Sequence, residues 1–429
     1  MRTVRYGTAA WRRYREGLPR TSAPRPAVER AVASILRAVR RDGDAALVRL
    51  STRFDGVRLR ASDLWVPGGR IRALARRADP ALVSSLKAMA TRIETYHRRQ
   101  RDRGFRLRLR DGSRLEEQVR ALDSVGLYVP GGAGAYPSSV LMSAIPARVA
   151  GVRRIQVATP PRTLESSPAV AAALVLVGLE GAVFRVGGAQ AVAAFAFGTA
   201  TVPAVSKIVG PGNAFVAAAK RQVRGMVEID QEAGPSEVVV LADESADAAW
   251  VAADLLAQAE HGSGDETAVL VTPSAALAAE VRRAMAAGLG SVSNAAAARR
   301  ALGRNGAVVL VRGLDEGVAA VNELAPEHAE LMTRGAAELA PRIVAGAVFV
   351  GAWTPVAVGD YGIGPNHVLP TGGAARRSSP LSVRDFQRRQ SVVRMTPAGL
   401  RRAAPGMVRV ATAEGFRGHA QSLLVRLDG

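Results

Sequence analysis

The chain has 429 residues, 48% of them apolar and 22% charged, a globular composition with room for about two to four domains and a sizeable core. Its formal charge of +21 raises nucleic acid or an anionic membrane as partners, but three lysines (Lys87, Lys207, Lys220) stand among 55 arginines scattered mostly as pairs. Only 4% of residues are aromatic, too few for a base-stacking groove, and the absence of cysteine excludes disulfides, thiolate metal sites and a cysteine nucleophile.

Met1 to Leu18 mixes charges with apolar residues and lacks the apolar core of a signal peptide. No run approaches the roughly 18 apolar residues of a membrane span, so a cytoplasmic protein that binds neither membrane nor nucleic acid is expected. From Pro26 to about Arg103 apolar residues recur at three- and four-residue steps (Val28, Val32, Ile35, Leu36, Val39; Leu82, Leu86, Met89, Ile93), which predicts a mostly helical N-terminal region. His97, on its arginine-rich end, reads as an exposed helix residue.

Near Leu122 the pattern changes to short apolar runs bounded by glycine and proline, each followed by an alanine-rich helix. This α/β alternation predicts parallel sheets. Strand candidates are Gly126 to Val129, Ile155 to Ala158, Val183 to Val186, Ile208-Val209, Val238 to Leu241, Val269 to Val271 and Val308 to Val311. The stretch from Ile155 through Val186 is echoed by that from Val269 through Val311, which suggests a duplicated nucleotide-binding half. No G-x-G-x-x-G follows a strand. Two other glycine loops do: Val186-Gly187-Gly188-Ala189-Gln190 and Val209-Gly210-Pro211-Gly212-Asn213, where backbone N–H groups can approach an anion at a helix start. With Tyr128 in a third loop, the amides of Gln190 and Asn213 point to a dinucleotide cleft. After Leu381 the chain is expected to return to helix, with a last helix from Met407 to about Leu424 carrying Glu414 and His419; Gly362 to Pro380 reads as a linker.

Gln258 and His261 end an apolar helical run, three positions apart and therefore on one face if the helix persists, and Gly262 stops it. An amide oxygen and an imidazole there can converge on a cation. Only five histidines occur: His97, His261, His328, His367 and His419. Pro326-Glu327-His328 places a carboxylate beside an imidazole in a loop. Asp360 and His419 would complete two nitrogen and two oxygen ligands with Gln258 and His261, a set suited to Zn²⁺ in an open site. His367 reads as a loop-bracing hydrogen-bonding residue.

The motifs Gly126-Leu-Tyr-Val-Pro-Gly-Gly132, Val186-Gly-Gly-Ala-Gln190, Gly210-Pro-Gly-Asn213, Ala233-Gly-Pro-Ser-Glu237, Gln258-Ala-Glu-His261, Leu324-Ala-Pro-Glu-His328, Gly359-Asp-Tyr361 and Asn366-His-Val-Leu-Pro370 occur in this order. In them the chain resembles histidinol dehydrogenases over nearly its full length; Gln231-Glu232 depart from the usually apolar residues at that place. The resemblance implies an α/β fold of two similar, incomplete Rossmann-like domains with parallel sheets, a helical N-terminal region and a helical C-terminal tail. The expected boundaries are 1–109 for the N-terminal region, 110–127 with 237–378 for the first Rossmann-like domain, 128–236 for the second, and 379–429 for the tail. It implies one Zn²⁺ per subunit on Gln258, His261, Asp360 and His419, and NAD near Tyr128, Gln190 and Asn213. Substrate contacts would come from Ser236, Gln258, His261, His328, Asp360, Glu414 and His419, with Glu414 and His419 lent across an intertwined homodimer. The implied reaction takes L-histidinol to L-histidine through the aldehyde with two NAD⁺ reduced, Glu327 and His328 being catalytic. A zinc- and NAD-dependent dehydrogenase of another small polar alcohol, such as a sulfonated diol, is the alternative within the fold; a basic nucleic-acid-binding protein is the alternative outside it.

Overall fold

The computed structural model describes residues 1–19, 26–131, 136–232 and 234–427. Gly132 and Ala233, each part of a motif above, lie outside the described residues. Among the described residues fifteen strands follow in chain order. They are β1 Arg2–Arg5, β2 Trp65–Val66, β3 Phe105–Arg108, β4 Arg114–Ala121 and β5 Ser124–Tyr128. Next come β6 Arg154–Thr159, β7 Val183–Arg185, β8 Lys207–Val209, β9 Glu228–Ile229 and β10 Glu237–Ala242. The last five are β11 Thr267–Thr272, β12 Ala307–Leu310, β13 His328–Met332, β14 Ala347–Val350 and β15 Gln387–Arg394.

The chain divides into two compact units, Met1–Gln100 with Leu122–Phe386, and Arg101–Ala121 with Gln387–Gly429. The first unit holds two six-stranded sheets, ordered β2-β7-β6-β5-β8-β9 and β1-β12-β11-β10-β13-β14. Counting the five later strands of each from its own first, both read 3-2-1-4-5, the order of a Rossmann sheet short of its sixth strand. Each gains instead an edge strand from the N-terminal region, β1 parallel to β12 and β2 antiparallel to β7. The duplicated pattern in the sequence is thus a duplicated topology.

The central strands are continuous apolar runs because helices cover both faces. In β10, Val238, Val240 and Ala242 face the cluster of helix Ala248–Ala259 (Val251, Leu255, Leu256), while Val239 and Leu241 pack with Trp11, Tyr14 and helix Leu314–Leu324. Burial of such side chains, at about 25 cal/mol per Å² of apolar area, is the main term holding each layer.

Four expectations need correction. Residues 110–127 do not join the sheet of 237–378: Arg114–Ala121 forms β4 in the second unit, and Ser124–Tyr128 is central in the other sheet, because β5 pairs with β6 and β8. The N-terminal region is mostly helical, as expected, and supplies three strands besides its helices. The stretch after Phe386 is the strand β15, paired antiparallel with β4 over eight residues, since cross-strand pairing of Val392 and Val393 outweighs any helical spacing. The last helix is two, Pro397–Ala413 and Arg417–Leu424, separated at Gly415 with φ +81°. His97, expected at the surface, is fully buried, its Nδ1 2.8 Å from the Ile93 carbonyl and its Nε2 3.4 Å from Asn366 Nδ2.

In the second unit, β3, β4 and β15 form an antiparallel sheet with the two C-terminal helices. Thr396 caps the longer helix by accepting from Gly399 N at 3.0 Å and donates to the Asp111 carbonyl at 3.0 Å. Phe105, Leu107, Val393, Val410 and Phe416 stand exposed on this unit.

Candidate active site

At the carboxyl edge of one sheet, Tyr128 ends β5, Gln190 lies in the first turn of the helix after β7, and Asn213 precedes the helix after β8. That edge, at the point where strand order reverses between β5 and β8, is where open α/β sheets bind ligands. The Tyr128 hydroxyl accepts from Gly188 N at 3.0 Å, tying the first loop to the second. Gln190 is buried in helix Gly188–Phe197. Asn213 caps helix Ala214–Val223, its Oδ1 accepting from Phe215 N at 3.0 Å and Val216 N at 3.2 Å, which spends the oxygen and leaves its NH₂ as the outward group.

A buried ion pair that sequence reasoning missed shapes the third loop. Lys220 and Asp230 side chains are each 3% exposed and paired; Lys220 Nζ also donates to the Gly210 carbonyl at 3.0 Å, and Gly210 N donates to Asp230 Oδ2 at 2.8 Å. Both polar groups of one glycine are therefore held by one pair. Gly210 has φ +125°, and a Cβ there would lie 2.2 Å from the Tyr128 carbonyl oxygen, so no other residue fits. The rarity of lysine was the available signal: two of the three, Lys207 and Lys220, are buried, whereas the abundant basic residue is arginine.

Glu327, His328 and Ser236 gather at the opposite, amino edge of the other sheet, where β10 and β13 begin. His328 is the first residue of β13, not a loop residue, and is paired in register with Val238 and Ala347. Its Nδ1 lies 2.9 Å from the Glu237 carbonyl, which can only accept, so Nδ1 carries the proton and Nε2 the lone pair. Glu327 Oε2 accepts from the Ser236 hydroxyl and from Glu237 N at 2.9 Å, and Glu327 N donates to Glu237 Oε2 at 3.2 Å. Burial pushes the Glu327 carboxyl up to about 7, against the two donors that lower it; the charge of Asp360 raises it further and that of His261 lowers it. Burial lowers the His328 pKa, with Asp360 acting the other way. Glu327 is thus poised near neutrality, while His328 is held toward its neutral form.

Helix Ala248–Ala259 runs back from β10 toward the same edge and carries Gln258 in its last turn. His261 lies beyond the helix, exposed, its Nδ1 3.1 Å from the Gln258 carbonyl, and Gly262 at φ +108° turns the chain away. Shared face or not, the pair is brought together by a turn rather than by helical spacing. Gln258 is buried, and neither amide atom has a hydrogen-bond partner among the described residues. Glu260 points elsewhere and accepts from Ser293 N at 2.7 Å. Asp360 ends the short helix Val356–Asp360. That helix is seated on Phe349, where a Cβ on Gly359 would stand 2.8 Å from the ring; the same ring lies 5.9 Å from the His328 imidazole. His367 braces the loop as expected, its Nδ1 3.1 Å from the Asp360 carbonyl, and it feels the charges of Asp360, His328 and His261. Among the described residues no three His, Cys, Asp or Glu side chains form a metal cage. Gln258 is outside that residue set, and Glu414 and His419 belong to the second unit, where both are exposed.

The polar departures at Gln231-Glu232 have partners. Gln231 Nε2 donates to the Leu369 carbonyl at 2.6 Å, and Glu232 accepts from Arg221 Nη1 at 2.8 Å. With Gly234 N donating to Thr371 Oγ1 at 2.7 Å, they fasten the approach to Ser236.

Comparison with known proteins places this arrangement. The family model for histidinol dehydrogenase matches residues 18–427. Histidinol dehydrogenase of Bradyrhizobium diazoefficiens is 48% identical over 402 residues, 94% of this chain and 93% of the relative. That of Gluconobacter oxydans is 47% identical over 411 residues, 95% of each chain. The crystal structure of histidinol dehydrogenase from Elizabethkingia anophelis matches with a TM-score of 0.92 at 31% identity, covering 100% of this chain and 98% of that one. The chain belongs to the histidinol dehydrogenase family.

Proposed function

We propose that the chain oxidises L-histidinol to L-histidine through L-histidinaldehyde, reducing two NAD⁺. The observation that carries this reading is the His328–Glu237 hydrogen bond, which leaves Nε2 as a base, with the Glu327 carboxyl beside the same imidazole. His328 Nε2 takes the hydroxyl proton of the alcohol as its carbon gives up a hydride. NAD⁺, held at Tyr128, Gln190 and Asn213, supplies the acceptor for both hydrides. Without a cysteine no thiohemiacetal forms, so the aldehyde is oxidised as its hydrate. Both donors to Glu327 fall on Oε2, which leaves Oε1 to face and deprotonate the water that adds to the aldehyde. The proton held by His328 passes to the aldehyde oxygen as water adds, completing the hydrate, and the freed Nε2 takes a hydrate hydroxyl proton as the second hydride departs.

Zinc on Gln258, His261 and Asp360, with His419 of a second copy, would anchor the amine and imidazole of the substrate. The donor set fits: Gln258 Oε1 is a buried acceptor with no donor, which a cation satisfies, and Asp360 supplies charge among three imidazoles. Ser236 orients Glu327, and Glu414 of the second copy suits a cationic amine. The exposed apolar residues of the second unit support an intertwined homodimer as the working form. Among the described residues no helix is long and apolar enough to cross a membrane, and the reading keeps the reaction in the cytoplasm.

Purified protein given histidinol and excess NAD⁺ yields about two NADH per substrate, lost with chelator and restored by Zn²⁺; one NADH or none refutes the reading. Mixing Gln258→Ala with His419→Ala protein restores one good site per heterodimer, whereas no recovery after demonstrated subunit exchange refutes the shared site.

A further inference from the structure

Behind the site lies a second carboxyl pair that the proposed reaction does not use. Glu330 follows His328 by two residues on β13, so both side chains leave the same face of the sheet. Asp254 precedes Gln258 by four on helix Ala248–Ala259, so both share one helical face. The two carboxyl groups lie within hydrogen-bonding reach of each other. Glu330 is 1% exposed, and its Oε2 is sealed from solvent with no N–H or hydroxyl partner among the described residues. Two carboxylates cannot donate, so a bond between them exists only if one of them carries a proton. Burial raises both, Asp254 to about 6 and Glu330 to about 8, and the Asp254 charge adds to the Glu330 shift. Glu330 Oε1 meanwhile accepts from Val356 N at 2.6 Å, the first residue of the short helix that ends at Asp360.

One buried acid thus bears on three elements: the strand that begins with His328, the helix that carries Gln258 in its last turn, and the helix that ends with Asp360. We propose that Asp254 and Glu330 form a proton-sharing brace that positions Gln258 and Asp360 for the metal beside His328. They are positioning residues: neither touches the reacting atoms. The shared proton is what allows the brace, since an ionised pair at this depth would repel and a salt bridge would demand a cation next to the zinc ligands. The proposal rests on the zinc reading above.

The test is zinc affinity of the purified dimer, measured by competition with a chelating dye, with NAD⁺ binding as a control at the other sheet. Glu330→Ala removes the acceptor for Val356 N and the partner of Asp254, and lowers zinc affinity by about 10- to 100-fold, the usual cost of losing an outer-shell support, while NAD⁺ binding is retained. Glu330→Gln keeps an oxygen for Val356 N and an N–H for Asp254, and stays within about threefold of the wild type on the same scale. Asp254→Ala, at a half-buried helix position, repeats the loss and serves in place of Glu330→Ala if that variant does not fold. Wild-type zinc affinity in a folded Glu330→Ala or Asp254→Ala protein overturns the brace, as does a Glu330→Gln protein impaired as much as Glu330→Ala. Failure of the wild type itself to bind zinc overturns the zinc reading and the brace with it.

Discussion

The two sheets share their strand order but present opposite edges to the chemistry. In the sheet of β5 to β9 the proposed cofactor residues sit at the carboxyl edge, as in other doubly wound proteins. In the sheet of β10 to β14, Ser236, Glu327 and His328 sit at the amino edge. The connection explains the reversal. The chain leaves the carboxyl edge of the first sheet at Asp230 and enters the amino edge of the second at Glu237, so Ser236 is within about 20 Å of Asp230 even if the link is fully extended. The proposed hydride transfer needs cofactor and substrate in contact, and this short link joins the two edges that would supply them. The comparison teaches that topology alone does not decide which edge carries a site; the path between the sheets does.

The two edges are also braced differently, by a buried ion pair under Gly210 and, as proposed, by a carboxyl pair sharing one proton behind Asp360. Substitutions at each edge separate their roles. The largest effect is expected at His328: His328→Ala slows both oxidation steps by about 10³-fold, the worth of a positioned general base, and single-turnover NADH formation from alcohol and from aldehyde measures both. An unequal loss confined to one step would mean that the base serves only that step. Next, Lys220→Met leaves Asp230 buried and unpaired, costing about 3 kcal/mol or more of folding stability in denaturant titration and weakening NAD⁺ binding, while zinc binding is unchanged. Equal damage to zinc binding would show that the two edges are not independent.

A smaller, selective effect is expected from Glu327→Gln, which slows aldehyde oxidation by about 10²-fold and alcohol oxidation much less. Glu327 must be ionised to activate water, so the wild-type aldehyde rate rises with pH through about 7 and the variant lacks that limb. The smallest effect is on stability. Because burial raises the folded-state pKa of Glu327 above its unfolded value, the folded chain holds this proton more tightly; the contribution is complete below the ordinary carboxyl range and is lost as pH rises through about 7. The Tm of the wild type therefore falls relative to Glu327→Gln between about pH 5 and pH 8, and a constant difference would mean that Glu327 stays ionised when folded.

Much of this was legible in the amino-acid order. Apolar runs such as Val238 to Leu241 announce strands buried on both faces, the echo of Ile155–Val186 in Val269–Val311 announces the duplication, and the glycine loops announce the cofactor edge. Glu327-His328 could be singled out because histidine is scarce and two of the five, His261 and His328, directly follow an acid. The strands β13, β14 and β15 were not legible, for different reasons. Ala329-Glu330-Leu331-Met332 breaks its apolar run with a buried acid whose neutrality depends on Asp254, 76 positions earlier. Gln387–Arg394 is mostly polar and becomes a strand because β4 offers it a partner.

The sequence by itself determined the local periods, the glycine positions that admit close backbone approach, and the inventory of groups able to do chemistry, because these depend on each residue and its near neighbours. Only the tertiary structure decided which sheet β5 joins, that Lys220 and Asp230 clamp Gly210, that the Glu237 carbonyl fixes the tautomer of His328, and that Glu330 meets Asp254. Each of those is a contact between residues far apart in the chain, and its energy comes from burial and pairing that exist only once the sheets have formed.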